Sequence, residues 1–599
     1  MKTKLQFRFS FIFFIVLFIA AVSITAVAQQ QIPADWIRQY DGIPIIASLD
    51  YDWAHPNHIA DIDSMKGAGI DAVILSIASG TKVDSLGNWN SGGFRVIPVK
   101  SINSNLDTLN WITYYTDAKY TVWETEDITP ADTSYILHDT NIMEEVSQGN
   151  DKFIRLIGSA AGSVNELIRG PYYCQNVYEQ NIQGILDTAF YTADFRMKLE
   201  LNNGYSDNIH PDTPLCIIQV TQSKLAVPNT WTLDCTYPIN SIVITRRNFQ
   251  LLNQFQNFSF AYNLGSDSCS QATSSPRQYY PPGYSFKSSG LSDIQKFLLM
   301  RDYIEFKVKW LGKPNYLLSI DKITVYDQKG FEIMDPTSDA RSRIELQANS
   351  LNTYNNNITG WLGIDEPNSI DKYAPVKKVN EILNDNSNSA RPLWLSIMGK
   401  WDGVWENSDN PFGTYHLSPW KEKKKRIGNI NIWQDVYYLD YPWNSSVCTN
   451  CTEPWKSENI KIAAELNYKQ AYDLDNYYGV SIQCGEIHID GIAEQRNINE
   501  SELLYETNLA LMYGTKFLSL YTYFAQRDTD DTNPTGTKHG IVDSKSGNLI
   551  YTNKYRMLRG TLSPRLKGLM GKTLKKLTPT DQILKTPLNT QFSLSNFID

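Results

Sequence analysis

Two glutamates, each placed where an apolar run ends, mark where chemistry is to be sought. Glu366 closes Ile-Thr-Gly-Trp-Leu-Gly-Ile-Asp-Glu-Pro at residues 358–367, and Glu486 closes Tyr-Gly-Val-Ser-Ile-Gln-Cys-Gly-Glu at residues 478–486. Both runs have the length of a buried strand and stop where a loop must begin. In a closed parallel sheet the loops after the strands gather on one face, so two such carboxyl groups meet there although they are far apart in the chain. A pair of facing carboxyl groups does acid–base and nucleophilic work of the kind that splits a glycosidic bond.

The elements that must position the pair follow from the hydrophobic pattern. Ile43 to Leu49 reads as a strand ending in Asp50-Tyr51-Asp52, and Ile59, Ile62 and Met65 mark one face of a helix closed by Gly67 and Gly69. Ala72 to Ile77 reads as a second strand, which makes a βαβ unit and so a parallel sheet with both faces covered. The pattern then changes period. Phe195, Met197, Leu199 and Leu201 alternate with Arg196, Lys198 and Glu200, and Ile304, Phe306, Val308 and Trp310 alternate with Glu305, Lys307 and Lys309. Strict alternation means antiparallel strands with one wet face.

After residue 335 the βα rhythm returns, with candidate strands at 359–365, 392–398, 429–437, 478–484 and 516–523. Asn499 and Glu502 have capping-box spacing ahead of a helix through Leu503, Leu504 and Leu511. Seven strands are counted, and the missing third either lies near 94–99 or is masked by the insertion. No Gly-rich phosphate loop of an open doubly wound sheet is seen. The expected fold is therefore α/β: a (β/α)8 TIM barrel interrupted after its second strand by an all-β jelly-roll sandwich. The expected boundaries are a signal peptide at 1–28, barrel at 29–111 and 331–580, a sandwich at 112–330, and a tail at 581–599 that reads as the start of a further β segment.

Composition narrows the partners. The formal net charge is −9, from 55 Lys and Arg against 64 Asp and Glu, which argues against nucleic acid or an anionic membrane surface. Aromatic residues make up 12% of the chain, with 15 Trp and 35 Tyr, a stock of rings able to stack on sugar faces or to fill cores. Lys2, Lys4 and Arg8 precede an apolar stretch from Phe11 to Ile24, and Ala26-Val27-Ala28 offers a cleavage site before Gln29, the pattern of a secretory signal. A secreted or periplasmic location in a bacterium is expected, with no membrane span in the mature chain. Seven Cys in a chain of this length do not form a disulfide scaffold. Cys448 and Cys451 read as a local loop disulfide, and Cys484 as a small apolar strand residue. The seven His show no ligand-pair spacing on a helix, so no transition-metal site and no catalytic cofactor are expected. His55 and His58 follow the first strand and His488 the seventh, so one of the three is a candidate to contact a substrate.

Asp365-Glu366-Pro367, read alone, is also helix-capping chemistry. In its place after a buried strand it resembles the Asn-Glu-Pro of retaining (β/α)8 glycoside hydrolases, the clan that includes the family 42-like β-galactosidases; here Asp365 stands where Asn is usual. The resemblance makes Glu366 the acid/base and Glu486 the nucleophile, with Asp490 and Glu494 as competitors for the second role. Asp440-Tyr441-Pro442 resembles the Asp-x-Tyr-Pro of several such barrels. Asn508 to Lys516 and Leu518 to Phe524 resemble their last helix and strand. The resemblance covers about 40–90 and 340–580. It implies a sugar-contacting role for Asp365, and Asp50, Trp401, Trp433, Tyr441, Tyr521 and Tyr523, at or beyond strand ends, are placed to line the same site. Core packing is the competing role for each aromatic ring.

Tyr120-Thr-Val-Trp-Glu-Thr-Glu126 resembles the opening strand of carbohydrate-binding jelly rolls, which implies glycan binding and a structural calcium in the sandwich. A purely architectural sandwich is the alternative. The leading expectation is a secreted glycosidase acting on a poly- or oligosaccharide by a retaining two-carboxylate mechanism. The rival is a non-catalytic glycan-binding protein on a degenerate barrel.

Overall fold

The computed structural model describes residues 36–49, 58–76, 94–99, 111–125, 143–149, 151–156, 166–173, 190–225, 233–263, 303–350, 358–364, 372–386, 391–398, 430–435, 478–489, 492–495, 497–512, 514–528, 536–545, 548–585 and 593–598. Eight parallel strands form the continuous path of its ten-stranded principal sheet, to which Val542–Lys545 and Asn548–Tyr551 are added beside the last of them. The eight are β1 (Ile45–Leu49), β2 (Ala72–Ser76), β3 (Arg95–Val99), β4 (Trp361–Leu362), β5 (Leu393–Met398), β6 (Asn431–Asp435), β7 (Tyr478–Gln483) and β8 (Phe517–Asp528). Their hydrogen-bonded order runs from β4 through β8 to β1, β2 and β3, so each strand neighbours its predecessor in the chain. Ile46 lies opposite Ser519 where β1 meets β8. The two remaining edges also meet: Val96 forms a parallel bridge with Ile358, and Thr359 N–H donates to Val96 O at 3.0 Å. The strands thus form a ring.

Alternation along the strands divides the apolar residues into two layers. Ile45, Ala47, Val73, Val96, Leu393, Leu395, Val480, Ile482, Leu518 and Leu520 share a cluster with helix residues such as Ile62, Met65, Val376 and Val379. That layer lies between strands and helices. Ile46, Ala72, Ile74, Ile97, Leu362, Trp394, Trp433 and Phe517 form a second cluster, joined only by Trp36, Ile37 and Tyr40 from the short N-terminal helix. This second set fills the inside of the ring.

The third strand corrects one expectation. β3 precedes the antiparallel region, so that region enters after the third strand of the ring and not after the second. Arg95-Val-Ile-Pro-Val99 is short and contains Pro98, which supplies no ladder donor, and this weakens its strand signature.

The antiparallel region consists of two sheets across one core. One has the order Leu233–Thr245, Pro214–Leu225, Tyr303–Trp310, Glu166–Tyr173; the other runs Gln256–Asn263, Phe190–Leu201, Tyr316–Asp327, Asp151–Leu156, Met143–Gln148, with Tyr120–Glu124 beside Tyr316–Asp327. Phe195, Met197, Leu199, Phe306, Val308 and Ile320 are fully buried between them. On the other face Arg155 pairs with Glu200 at 3.0 Å and Arg196 with Asp321 at 2.6 Å.

The way in and the way out are clasped together. Lys119 N–H donates to Asp327 Oδ1 at 3.1 Å, and Asp327 N–H donates to Lys119 O at 3.1 Å. Helix Trp111–Thr116 stands on the ring side of that clasp, with Ile112 and Tyr115 in the ring's outer layer. Helices Gln328–Met334 and Ala340–Ser350 lead back to β4. Near the end of the chain, Thr578–Lys585 and Ser593–Ile598 pair as an antiparallel hairpin. No helix among the described residues is long and apolar enough to cross a membrane. The leader at 1–28 and the Cys448–Cys451 pair lie outside the described residues.

Candidate active site

The inside of the ring changes character along the strands. Trp394 packs on Trp36 at 6.3 Å, on Trp433 at 6.1 Å and edge-on to Phe517 at 5.5 Å, which gives an aromatic floor on the side where the N-terminal helix sits. Two residues further along, the inward positions are Ser396, Ser481 and Ser519, all buried, and one step beyond on β7 and β8 are Gln483 and Tyr521. Tyr521 is partly exposed. The ring is therefore apolar at one end and polar at the end where the strands terminate.

Glu486 lies at that polar end, and the backbone that leads to it is fixed from several directions. Gln483 N–H donates to Glu506 Oε2 at 3.1 Å, Cys484 N–H donates to Tyr521 O at 2.6 Å, and Cys484 O accepts from Lys554 Nζ at 2.6 Å. Glu506 is carried by helix Glu500–Met512. That helix starts in a capping box: Asn499 Oδ1 accepts from Ser501 N–H at 2.9 Å and Glu502 N–H at 3.0 Å, while Glu502 Oε2 accepts from Asn499 N–H at 2.9 Å. Glu486 then opens a short strand, Glu486–Ile489, paired with Ile492–Gln495 and with Gly536–Lys538, where it faces Lys538 in register.

That pairing delivers His539 to Glu486. Its Nε2 stands 3.9 Å from Glu486 Oε2, and its Nδ1 stands 3.6 Å from Asp543 Oδ2. The side chains of Glu486 and Asp543 are 13% and 9% exposed, that of His539 37%. His539 has a left-handed backbone, φ 56°, which holds the turn out of Gly536–Lys538. Its carbonyl accepts from Lys554 Nζ at 2.6 Å, and the same ammonium donates to Asn497 Oδ1 at 2.7 Å. One buried cation thus ties three loops at the polar end of the ring.

Charge follows geometry. Asp543 raises the His539 imidazole above its ordinary value; partial burial opposes this and Glu486 adds to it. Burial lowers the pKa of Lys554, countered by Asp543 and Glu486 among its neighbours. Burial pushes the Cys484 thiol up, so it stays an inert, neutral packing group. The arrangement is a partly buried carboxylate with a histidine 3.9 Å away and a buried lysine among its charged neighbours.

Several anticipated residues take other places. Trp433 is in the middle of β6, 3% exposed within the aromatic floor, and Tyr523 is fully buried in the strand–helix layer with its hydroxyl 3.4 Å from Ser64 Oγ. Both are core residues and not rings at a mouth. The reason is orientation: Trp433 is inward but too near the floor, and Tyr523 points to the helices. Tyr521 keeps an inward place beside Gln483. Asp50, Asp365, Glu366, Trp401 and Tyr441, with Asp490, lie outside the described residues, as do the side chains of His58, His488 and Glu494. His539, Asp543 and Lys554 were not singled out from sequence. They reach Glu486 through strand pairing between distant segments, which no local pattern announces.

Among the described residues no group of three His, Cys, Asp or Glu is placed to hold a metal ion. That includes the described part of the sandwich; Glu126 lies outside it. A cavity of about 390 Å³ occurs elsewhere, between strand Tyr120–Glu124 and helix Tyr373–Asp385, lined by Tyr120, Val122, Met334 and Lys377.

No protein-family model matches the chain. None of the curated proteins matches it in sequence. Among solved structures, it is similar to a β-galactosidase from the psychrophilic Marinomonas ef1, at 8% identity and a TM-score of 0.37, over 89% of this chain and 62% of that one. It is similar to a β-galactosidase from the haloarchaeon Halorubrum lacusprofundi, at 8% identity and a TM-score of 0.32, over 88% of this chain and 58% of that one. A pyruvate kinase from Cryptosporidium parvum is similar at 7% identity and a TM-score of 0.28, over 91% of this chain and 73% of that one. The chain thus spans less than two thirds of the length of either β-galactosidase. Glycoside hydrolases recur among these neighbours, and likenesses of this size carry no argument about activity.

Proposed function

We propose that the protein is a secreted glycoside hydrolase of the retaining type. The eight-stranded ring is read as a (β/α)8 barrel, and the two antiparallel sheets as a jelly-roll sandwich inserted after the third strand. The observation that carries the reading is the place of Glu486: three residues past the end of β7, at the polar end of the ring, partly buried and faced by His539 and Lys554. Glu366 follows β4 by four residues in sequence and supplies the second carboxyl group. The substrate class is a poly- or oligosaccharide, and Asp50, Asp365, Trp401, Tyr441 and Tyr521 are proposed to line its site.

The chemistry follows from the pair. Protonated Glu366 gives its proton to the leaving oxygen while ionised Glu486 attacks the anomeric carbon, forming a glycosyl-enzyme. Water then releases the sugar with Glu366 as base. This requires carboxyl groups ~5–5.5 Å apart. Release of reducing sugar from a panel of plant and algal polysaccharides tests the activity. Glu366→Gln should lower turnover of poor leaving groups by ~10²–10⁴ and that of activated aryl glycosides less, whereas Glu486→Gln should abolish both. Full turnover in Glu486→Gln removes Glu486 from the mechanism. Retardation by glycans in the wild type, with no sugar released from any substrate, would instead favour a glycan-binding protein.

A further inference from the structure

The histidine beside Glu486 has no part in the two-carboxylate scheme, yet the chain spends three separate elements on holding it. Its backbone sits in the left-handed region at φ 56°, its carbonyl is bound by Lys554 from helix Asn553–Met557, and its ring lies between Glu486 of strand Glu486–Ile489 and Asp543 of strand Val542–Lys545. These three charged groups face it from the three elements packed against it. The imidazole has one nitrogen toward each carboxylate, at ion-pair separations of 3.9 and 3.6 Å, and only the imidazolium carries an N–H toward both.

We propose that His539 is a positioning residue for Glu486: clamped by Asp543 and Lys554, its ring holds the Glu486 carboxylate in place. The proposal deepens the glycosidase reading and rests on it for the role of Glu486. The pairing itself is a property of the folded chain that is measured without a substrate. Because coupling is reciprocal, whatever the imidazolium does for the carboxylate, the carboxylate does for the imidazolium.

The titration of His539 in the full chain therefore gives the test. With 13C-labelled histidine, the His539 ring signal is identified as the one missing in His539→Asn, a residue that also tolerates the left-handed backbone. In Glu486→Gln its midpoint should fall by roughly half a unit to one unit, and in Asp543→Asn it should fall as well. An unchanged midpoint in Glu486→Gln overturns the proposal. The second readout is rate on a panel of 4-nitrophenyl glycosides. His539→Asn should lose about tenfold in kcat/KM below the His539 midpoint, the equivalent of one unit of coupling. That deficit should close as pH rises through the midpoint, where the wild type loses its own imidazolium. A deficit equal at every pH is a structural effect and overturns the proposal. If no glycoside is turned over while the Glu486→Gln shift is present, the glycosidase reading falls and the pairing stands.

Discussion

Replacing Lys554 by methionine keeps most of the side-chain volume and removes the ammonium that three oxygens share. Cys484 O, His539 O and Asn497 Oδ1 lie 2.6, 2.6 and 2.7 Å from Nζ, and the lysine is 4% exposed. A hydrogen bond to a charged donor contributes ~1.5–3 kcal/mol net, and an acceptor left dry costs ~1–3 kcal/mol. The three contacts are not additive, because the loops relax together and water reaches some acceptors. Burial also makes the ammonium costly to hold, which takes back part of the gain. A net loss of ~3–5 kcal/mol remains, within the range for breaking a buried charged network. At ~2 °C per kcal/mol, suited to a large domain, the melting transition of the ring should fall by ~6–10 °C. Calorimetry resolves this transition, and circular dichroism at 25 °C shows whether the variant is folded. Lys554→Arg should recover little, since a planar fork does not match three acceptors around one point. A methionine variant that melts within about 1 °C of wild type would refute the view that one cation ties these loops.

Two further outcomes are expected. Gly479 lies inside the ring, where a Cβ would stand 2.1 Å from the Phe517 ring, so Gly479→Ala should overpack the floor and cost ~1–3 kcal/mol by thermal melting; an unchanged melt would show that Phe517 has space to move. Lys575, whose ammonium donates to Lys516 O at 3.1 Å, has its pKa lowered to about 7 by burial and by the neighbouring Lys516. Its folded pKa lies below the unfolded one, so between about pH 7 and the ordinary lysine value the unfolded chain binds the extra proton and stability rises with pH. Relative to Lys575→Met, the wild type should therefore gain melting temperature from pH 7 to pH 10, and a gap that stays constant across that range contradicts the assignment.

The ring was largely legible because its strands announce themselves one at a time. Apolar runs at 72–77, 392–398 and 478–484 correspond to Ala72–Ser76, Leu393–Met398 and Tyr478–Gln483, and the Asn499–Glu502 spacing became a closed capping box. Pro98 hid the third strand, which displaced the entry point of the antiparallel sheets by one unit. The site was less legible for two physical reasons. A strand residue's distance from the strand end, and the face it takes, decide whether it meets a ligand; Trp433 and Tyr523 are both aromatic strand residues, yet one lies in mid-strand on the floor and the other against a helix. And the partners of Glu486 reach it through contacts between distant segments: pairing of residues 486–489 with 536–538, pairing of Val542–Lys545 with β8, and the bond from Lys554 Nζ to Cys484 O. A buried lysine on a short helix has no sequence signature that separates it from a solvated one.

The interior of the ring supplies an argument about direction that does not depend on any catalytic residue. Its floor is built of rings so large that neighbouring strands must give up side chains to admit them: a Cβ at Gly360 would stand 2.2 Å from Trp394 Nε1, and Gly479 makes the same concession to Phe517. Trp36 closes that end from outside. One layer up, barrels ordinarily place bulky branched residues, whereas here Ser396, Ser481 and Ser519 occupy inward positions and Ser519 Oγ makes no hydrogen bond to any described residue. Serines there forgo apolar burial worth ~1.5–3 kcal/mol for each branched side chain, and stability alone gives no reason for the exchange. Small hydroxyl-bearing side chains leave space and hydrogen-bonding capacity under the end where Glu486, His539 and Tyr521 are gathered. The sheet is thus closed by rings at one end and polar at the other, the end at which Glu486, His539 and Tyr521 stand.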